Sequence, residues 1–155
     1  MIRPATEADA RALAEIQARG WRHAYADIVD PERMPTVEDQ TPRWVAHLDA
    51  GGVVHVWDQD GRVVGFATAG PGRDDARVGE LYAIYVDPQA QGAGVGSALL
   101  AAAEQSLRDA GHREAILWTF EANGLARAFY ERHGWELVDG QQDGLAPEVR
   151  YRRSL

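Results

Sequence analysis

The chain has 155 residues and a formal charge of −8, with 24 acidic residues set against 16 basic ones, all of the latter arginine. An acidic surface argues against a DNA or RNA partner, because phosphate contacts need a basic face. The absence of lysine and cysteine excludes a Schiff-base amine, a thiolate nucleophile and a disulfide framework.

At 45% hydrophobic and 26% charged residues the composition is that of an ordinary globular chain. The length fits a single domain over residues 1–155. The apolar runs are too short to cross a bilayer, and the N-terminus shows no basic-then-apolar signal pattern, so a cytoplasmic protein with no membrane partner is expected. The acidity also suits a cationic acceptor such as an amine.

In chain order, Ile2 and Arg3 read as a short edge strand. Thr6-Glu7-Ala8-Asp9 is a capping-box pattern. It opens a helix with Ala10, Leu13, Ala14 and Ile16 on one face. Trp21 and Tyr25, four apart, share a face if that helix continues. Pro31 and Pro35 interrupt it, and a second helix is predicted over about Val37 to Leu48, stopped by Gly51-Gly52. Val53 to Trp57 and Arg62 to Ala69 read as a hairpin around Asp58-Gln59-Asp60-Gly61. Pro71 to Asp75 is an exposed loop, and Gly79 to Val86 a strand ended by Asp87-Pro88. Helical spacing of Val95, Leu99, Leu100, Ala103 and Leu107 predicts a helix closed by Gly111. A strand over Glu114 to Phe120, a helix over Ala122 to Arg132 and strands over Trp135 to Val138 and about Glu148 to Arg153 complete the order.

The chemistry concentrates where a strand runs through Gln91-Gly92-Ala93-Gly94-Val95-Gly96-Ser97 into a helix. Glycines at every second position let the backbone approach a ligand, and a helix N-terminus offers free N–H groups to a pyrophosphate. A P-loop would need lysine before the serine. A dinucleotide fingerprint would sit after the first strand with different glycine spacing. Neither is present.

Gln91-x-x-Gly94-x-Gly96 resembles the acyl-CoA signature, Gln/Arg-x-x-Gly-x-Gly/Ala, of the GNAT superfamily of N-acetyltransferases. Glu80 to Pro88 is similar to that family's central strand. Asn123-Gly124-Leu125-Ala126-Arg127-Ala128-Phe129-Tyr130-Glu131-Arg132-His133-Gly134-Trp135 resembles its second signature, Asn-x-x-Ala-x-x-Phe-Tyr-x-x-x-Gly-Phe. Gln91 stands where arginine is commoner, and Trp135 where phenylalanine is usual. The resemblance implies an α/β (α+β) fold, with a mixed, mostly antiparallel sheet of about six to seven strands flanked by about four helices. It implies acetyl-CoA as cofactor, a small-molecule or peptide amine as acceptor, and a homodimer.

Residue by residue, the resemblance implies that the cofactor lies where two parallel strands splay. Backbone groups of Ile84 and Val86 would then bind the pantetheine along the stretch through Tyr85, with the Ile84 N–H near the thioester carbonyl. The N–H groups of Gln91, Gly92, Ala93, Gly94, Val95, Gly96 and Ser97 would hold the pyrophosphate. Helical geometry puts Asn123, Ala126, Arg127 and Tyr130 on one face, expected to line the cofactor, and Leu125 and Phe129 on another, expected to fill the core. Asn123 would reach the pantetheine and Arg127 the outer phosphates.

Tyr130 is the candidate general acid for the leaving thiolate, since a phenol stays protonated at neutral pH. The resemblance implies Glu80 as the base, with an acceptor-binding carboxylate as the alternative. Trp21, Tyr25 and Trp118 are candidate acceptor contacts, and the loops Gly70 to Arg77 and Asp139 to Pro147 candidate walls. No histidine spacing suggests a metal. Direct transfer in a ternary complex is the simplest mechanism. A non-catalytic acyl-CoA sensor on the same fold is the competing reading.

Overall fold

Arg3 and Asp9 anchor the start of the chain. In the computed structural model, which describes residues 1–155, the Asp9 carboxylate accepts from the Thr6 backbone N–H at 2.8 Å and from both terminal nitrogens of Arg3 at 2.8 and 3.0 Å. The capping pattern thus also ties strand β1 (Ile2–Pro4) to helix α1 (Ala10–Tyr25). Gly20 does not stop α1. A Cβ there would lie 2.8 Å from Cδ1 of Tyr85, so glycine gives a ring from the sheet room to pack. The helix does continue, so Trp21 and Tyr25 lie on its last turns. Helix α2 (Val37–Asp49) starts where Thr36 Oγ1 accepts from the Asp39 N–H at 3.2 Å.

The remaining elements are β2 (Val53–Gln59), β3 (Arg62–Pro71), β4 (Gly79–Val86), α3 (Val95–Asp109), β5 (Glu114–Phe120), α4 (Gly124–Arg132), β6 (Glu136–Gln141) and β7 (Glu148–Ser154). The element order is the expected one. Helix α4 begins at Gly124 instead of Ala122, because Asn123 turns its side chain inward as the cap and accepts from the Ala126 N–H at 3.2 Å. The seven strands form one sheet in the order β1-β2-β3-β4-β5-β7-β6. Every neighbouring pair is antiparallel except β4 and β5. That parallel pair needs a crossover, and α3 supplies it.

Both faces of the sheet are covered. On one, α1 and α2 bury Leu13, Ile16 and Trp44 against Val54, Val56 and Phe66. On the other, α3 buries Leu99, Leu100 and Leu107 against Ala67, Leu81 and Leu117, joined by Tyr130, Trp135 and Tyr151. Each such leucine contributes about 2–3 kcal/mol of burial. Strand β3 is buried along most of its length, as a strand with helices on both sides must be. Trp135 brings an indole N–H into this core, and the buried Glu104 carboxylate of α3 accepts it at 3.0 Å. Arg153 of β7 reaches the same oxygen at 3.5 Å, so α3, the end of α4 and the last strand share one polar node. No helix is long and apolar enough to cross a membrane.

Candidate active site

The parallel pair β4–β5 holds together only at its start. Gly79, Glu80 and Leu81 face Ala115, Ile116 and Leu117, and beyond Leu81 the strands part while β4 stays paired to β3 through Val86. The Asp87 N–H donates back to Val64 of β3 at 2.7 Å. Since backbone direction alternates along a strand, the polar groups of Ile84 and Val86 point the other way, into the gap. The Val86 carbonyl accepts from the side-chain amide of Gln91 at 3.3 Å. The gap opens into a cleft of about 1070 Å³ that spans both strand ends, α1, α4 and the glycine loop.

The loop leading into α3 is built for an anion. Gly92 and Gly94 have φ of +82° and +79°, where side chains are disfavoured, and a Cβ on either would meet open space. From Gly92 through Ser97 no backbone N–H has a partner within the protein; the first bond of α3 runs from the Ala98 N–H to Gly94. Gln91 differs, because its N–H closes on Pro88 at 3.5 Å. Six adjacent donors at a helix N-terminus, with its positive dipole end, suit a pyrophosphate. Ser97 Oγ lies 2.9 Å from His133 Nε2, and His133 Nδ1 lies 2.7 Å from the Phe129 carbonyl. These residues fit the phosphates and pantetheine of an acyl-CoA.

Helix α4 forms the opposite wall. Asn123, Ala126 and Tyr130 line the cleft. Besides capping α4, Asn123 donates its side-chain amide to the Tyr25 hydroxyl at 3.4 Å. Tyr130 is 7% exposed, and its hydroxyl makes no hydrogen bond within the protein. Burial pushes its phenol well above the ordinary tyrosine range.

Two expectations for α4, for Arg127 and Leu125, are corrected. The Arg127 guanidinium does not reach the cleft: it donates to the Tyr151 hydroxyl at 3.0 Å and the Glu121 carbonyl at 3.0 Å. Leu125 fills no core; it stands 87% exposed at the cleft mouth, whereas Phe129 packs against the core and also lines the cleft. Starting the helix at Gly124 sets its first turn over solvent. The cleft's basic residue from α4 is Arg132.

On the acceptor side Trp21, Tyr25 and Phe120 form an edge-to-face cluster, with centroids 4.9, 5.7 and 4.8 Å apart. Burial raises the Tyr25 phenol. Tyr85 turns its ring toward α1 and packs on Phe66 at 5.6 Å, and its backbone pairs with β3, so the cofactor-facing backbone is that of its neighbours Ile84 and Val86. Trp118 lines the cleft, with Arg150 5.5 Å over its ring.

Glu80, 1% exposed, faces the cleft beside Leu81 and Tyr82. Its carboxylate is held by Arg73 of the β3–β4 loop. Oε1 accepts from the Arg73 backbone N–H at 3.0 Å; Oε2 accepts from Nε at 2.8 Å and also from a terminal guanidinium nitrogen. The sequence marked that loop as exposed and as a candidate wall of the acceptor site, but no local pattern in it points to Arg73. The pairing depends on β3–β4 register. No cluster of acidic or histidine side chains is arranged to hold a metal ion.

The Acetyltransferase (GNAT) family model matches residues 11–135. An aminoglycoside N(6')-acetyltransferase type 1 from Stenotrophomonas maltophilia is 41% identical over 142 residues, 87% of this chain and 85% of that protein. A mycothiol acetyltransferase from Saccharomonospora viridis is 40% identical over 108 residues, 66% of this chain; the aligned stretch is 34% of that longer protein. The chain thus spans about a third of the length of the mycothiol enzyme it matches. Among solved structures, a GNAT superfamily phosphinothricin acetyltransferase from Sinorhizobium meliloti, in complex with AcCoA, superimposes with a TM-score of 0.77 at 25% identity. That match covers 100% of this chain and 88% of the other.

Proposed function

The chain belongs to the GNAT family of acetyltransferases, and from that premise we propose that it transfers an acetyl group from acetyl-CoA to a small primary amine by direct attack in a ternary complex. One observation carries this reading: six unpartnered N–H groups at the head of α3 open into the same cleft as Glu80 and Tyr130. Aminoglycoside, mycothiol and phosphinothricin, which appear in the relatives' names, are all small molecules, and they support a small-molecule acceptor here.

Acetyl-CoA supplies the acyl group as an activated thioester. The glycine loop binds the pyrophosphate, and the inward-facing backbone of Ile84 and Val86 takes the pantetheine as a partial extra strand, which requires the Gln91 amide to leave the Val86 carbonyl. The Ile84 N–H is the candidate donor to the carbonyl oxygen as charge develops there. An alkylamine, with a pKa of about 10.4, is nearly all ammonium at neutral pH, so a group must take its proton. Glu80 is the candidate. Tyr130 is the donor at the leaving sulfur. Burial holds its proton firmly, so the donation is a hydrogen bond that strengthens as thiolate charge grows, and no free buried phenolate need form. Trp21, Tyr25 and Trp118 frame the acceptor. We place the enzyme in the cytoplasm as a homodimer, following the family's habit.

Calorimetry tests the premise. Acetyl-CoA should bind and raise thermal stability by about 2.7 kcal/mol at 100 times its dissociation constant, and NAD should not. Equal stabilisation by NAD would contradict the reading. Glu80→Gln should bind acetyl-CoA normally and turn over about 10²-fold more slowly.

A further inference from the structure

We propose that the Arg73 guanidinium occupies the position of the acceptor's cationic nitrogen: Glu80 Oε2 is the ammonium-binding atom of the acceptor site, and Arg73 is its displaceable internal occupant. This rests on the N-acetyltransferase reading above.

The two halves of Arg73 hold Glu80 differently. Its backbone N–H fixes Oε1, while only the side chain covers Oε2. That side chain is 65% exposed although Glu80 itself is 1% exposed. The guanidinium can therefore swing into solvent without disturbing the strand, the carboxylate's orientation or the loop. The loop is pinned elsewhere, by the Gly72 N–H on Val78 at 2.7 Å and the Val78 N–H on Asp75 at 3.1 Å. A carboxylate this buried cannot be left without a positive partner except at high cost, so what replaces Arg73 must itself be a cation. A neutral alcohol or amide does not qualify. The surroundings suit the exchange. Asp74 and Glu148 also line the cleft, and the Tyr82 ring lies 5.6 Å beneath the guanidinium carbon, a face that attracts an alkylammonium equally well.

The exchange also gives the chemistry an order. An ammonium docked on Oε2 gives its proton to that oxygen, breaking an N–H bond, forming an O–H bond and freeing the nitrogen lone pair for attack. The amide product is neutral and no longer pairs with Glu80. Arg73 returns to Oε2, and the proton leaves to solvent as the product departs. Arg73 thus selects cationic acceptors and helps expel acetylated ones.

The test follows the Arg73 Nε–H signal by NMR in coenzyme A-saturated protein labelled with ¹⁵N-arginine, the signal being assigned from its loss in Arg73→Gln. The expected result is that n-butylammonium chloride moves it to a solvent-exposed position with saturation, and that n-butanol does not. Arg73→Gln should bind n-butylammonium at least about tenfold tighter, because no internal competitor must be displaced, Arg73→Lys should lie between, and Glu80→Gln should abolish binding. The inference is overturned if saturating ammonium leaves the signal in place, if Arg73→Gln binds no more tightly than the unaltered protein, or if neither binds ammonium saturably. Acetyl-CoA calorimetry run alongside separates the two levels. Intact acetyl-CoA binding with a failed ammonium titration removes this inference alone, whereas absent acetyl-CoA binding removes the transferase reading itself.

Discussion

Ser97 and His133 hold each other at the head of α3, the serine hydroxyl 2.9 Å from the ring nitrogen Nε2. The opposite nitrogen faces the Phe129 carbonyl at 2.7 Å, and a carbonyl can only accept, so Nδ1 carries a proton. In the neutral ring Nε2 is then the acceptor and the Ser97 hydroxyl the donor. The hydroxyl proton is spent on His133, leaving the Ser97 N–H for the phosphates. Ser97→Ala should therefore weaken acetyl-CoA binding by less than about tenfold, the scale of one neutral hydrogen bond. A hundredfold loss in calorimetry would mean that the hydroxyl turns to the cofactor.

Gly94 carries the opposite expectation. It caps α3 with φ of +79°, and a Cβ there would touch nothing. Gly94→Ala should cost only the backbone penalty of a left-handed alanine, about 1–2 kcal/mol. Gly94→Asp adds a negative charge where pyrophosphate is expected. It should lower acetyl-CoA affinity at least about 10²-fold with a melting temperature close to that of Gly94→Ala. Unchanged affinity would show that the anion binds elsewhere.

Much of the fold was readable in the sequence because local signals agreed with the tertiary result. Thr6 with Asp9, the Asp58 to Gly61 turn and the spacing of Leu99, Leu100 and Leu107 each fit the final structure. The glycine loop and Tyr130 were readable for the same reason, since their positions depend on short stretches of chain. Arg127 and Arg73 show the limit. A helical wheel groups Arg127 with Tyr130, but its long side chain follows the nearest buried acceptor, Tyr151 of β7, which is distant in sequence. Arg73 meets Glu80 only because β3 pairs with β4 across a bulge at Thr68 and Ala69, and no pattern in the loop announces that register. The divergence of β4 and β5 after Leu81 is also a property of the assembled sheet.

Tyr130→Phe isolates the proton from the ring. The hydroxyl has no partner in the protein, so its removal should change unfolding free energy by less than about 0.5 kcal/mol. Acetyl-CoA affinity should hold, while turnover falls roughly 10²-fold. The deficit should shrink for a donor whose thiol is a better leaving group. The same loss with every donor, measured under single-turnover conditions, would assign Tyr130 a packing role.

Asp9 links stability to pH. The Arg3 guanidinium and the Thr6 N–H hold its carboxyl below the usual range. A depressed folded-state pKa contributes stability that is fully present above the unfolded value of about 3.9 and is lost as pH falls through the folded value. Asp9→Asn should destabilise by about 1–3 kcal/mol at pH 7, with the gap to the unaltered protein narrowing below about pH 4. Denaturant titrations that gave a constant gap down to pH 3 would contradict the ion-pair account.

The central claim, acetyl transfer from acetyl-CoA to a cationic small amine, is tested most directly by incubating the protein with acetyl-CoA and a panel of primary amines. Free thiol release and the mass of the amine product would be followed together. The account predicts thiol release that depends on one or a few cationic amines, matched one for one by the N-acetylated product, and abolished by Gly94→Asp. Acetyl-CoA binding with no amine-dependent thiol release across the panel, or release that leaves every amine unmodified, would contradict it.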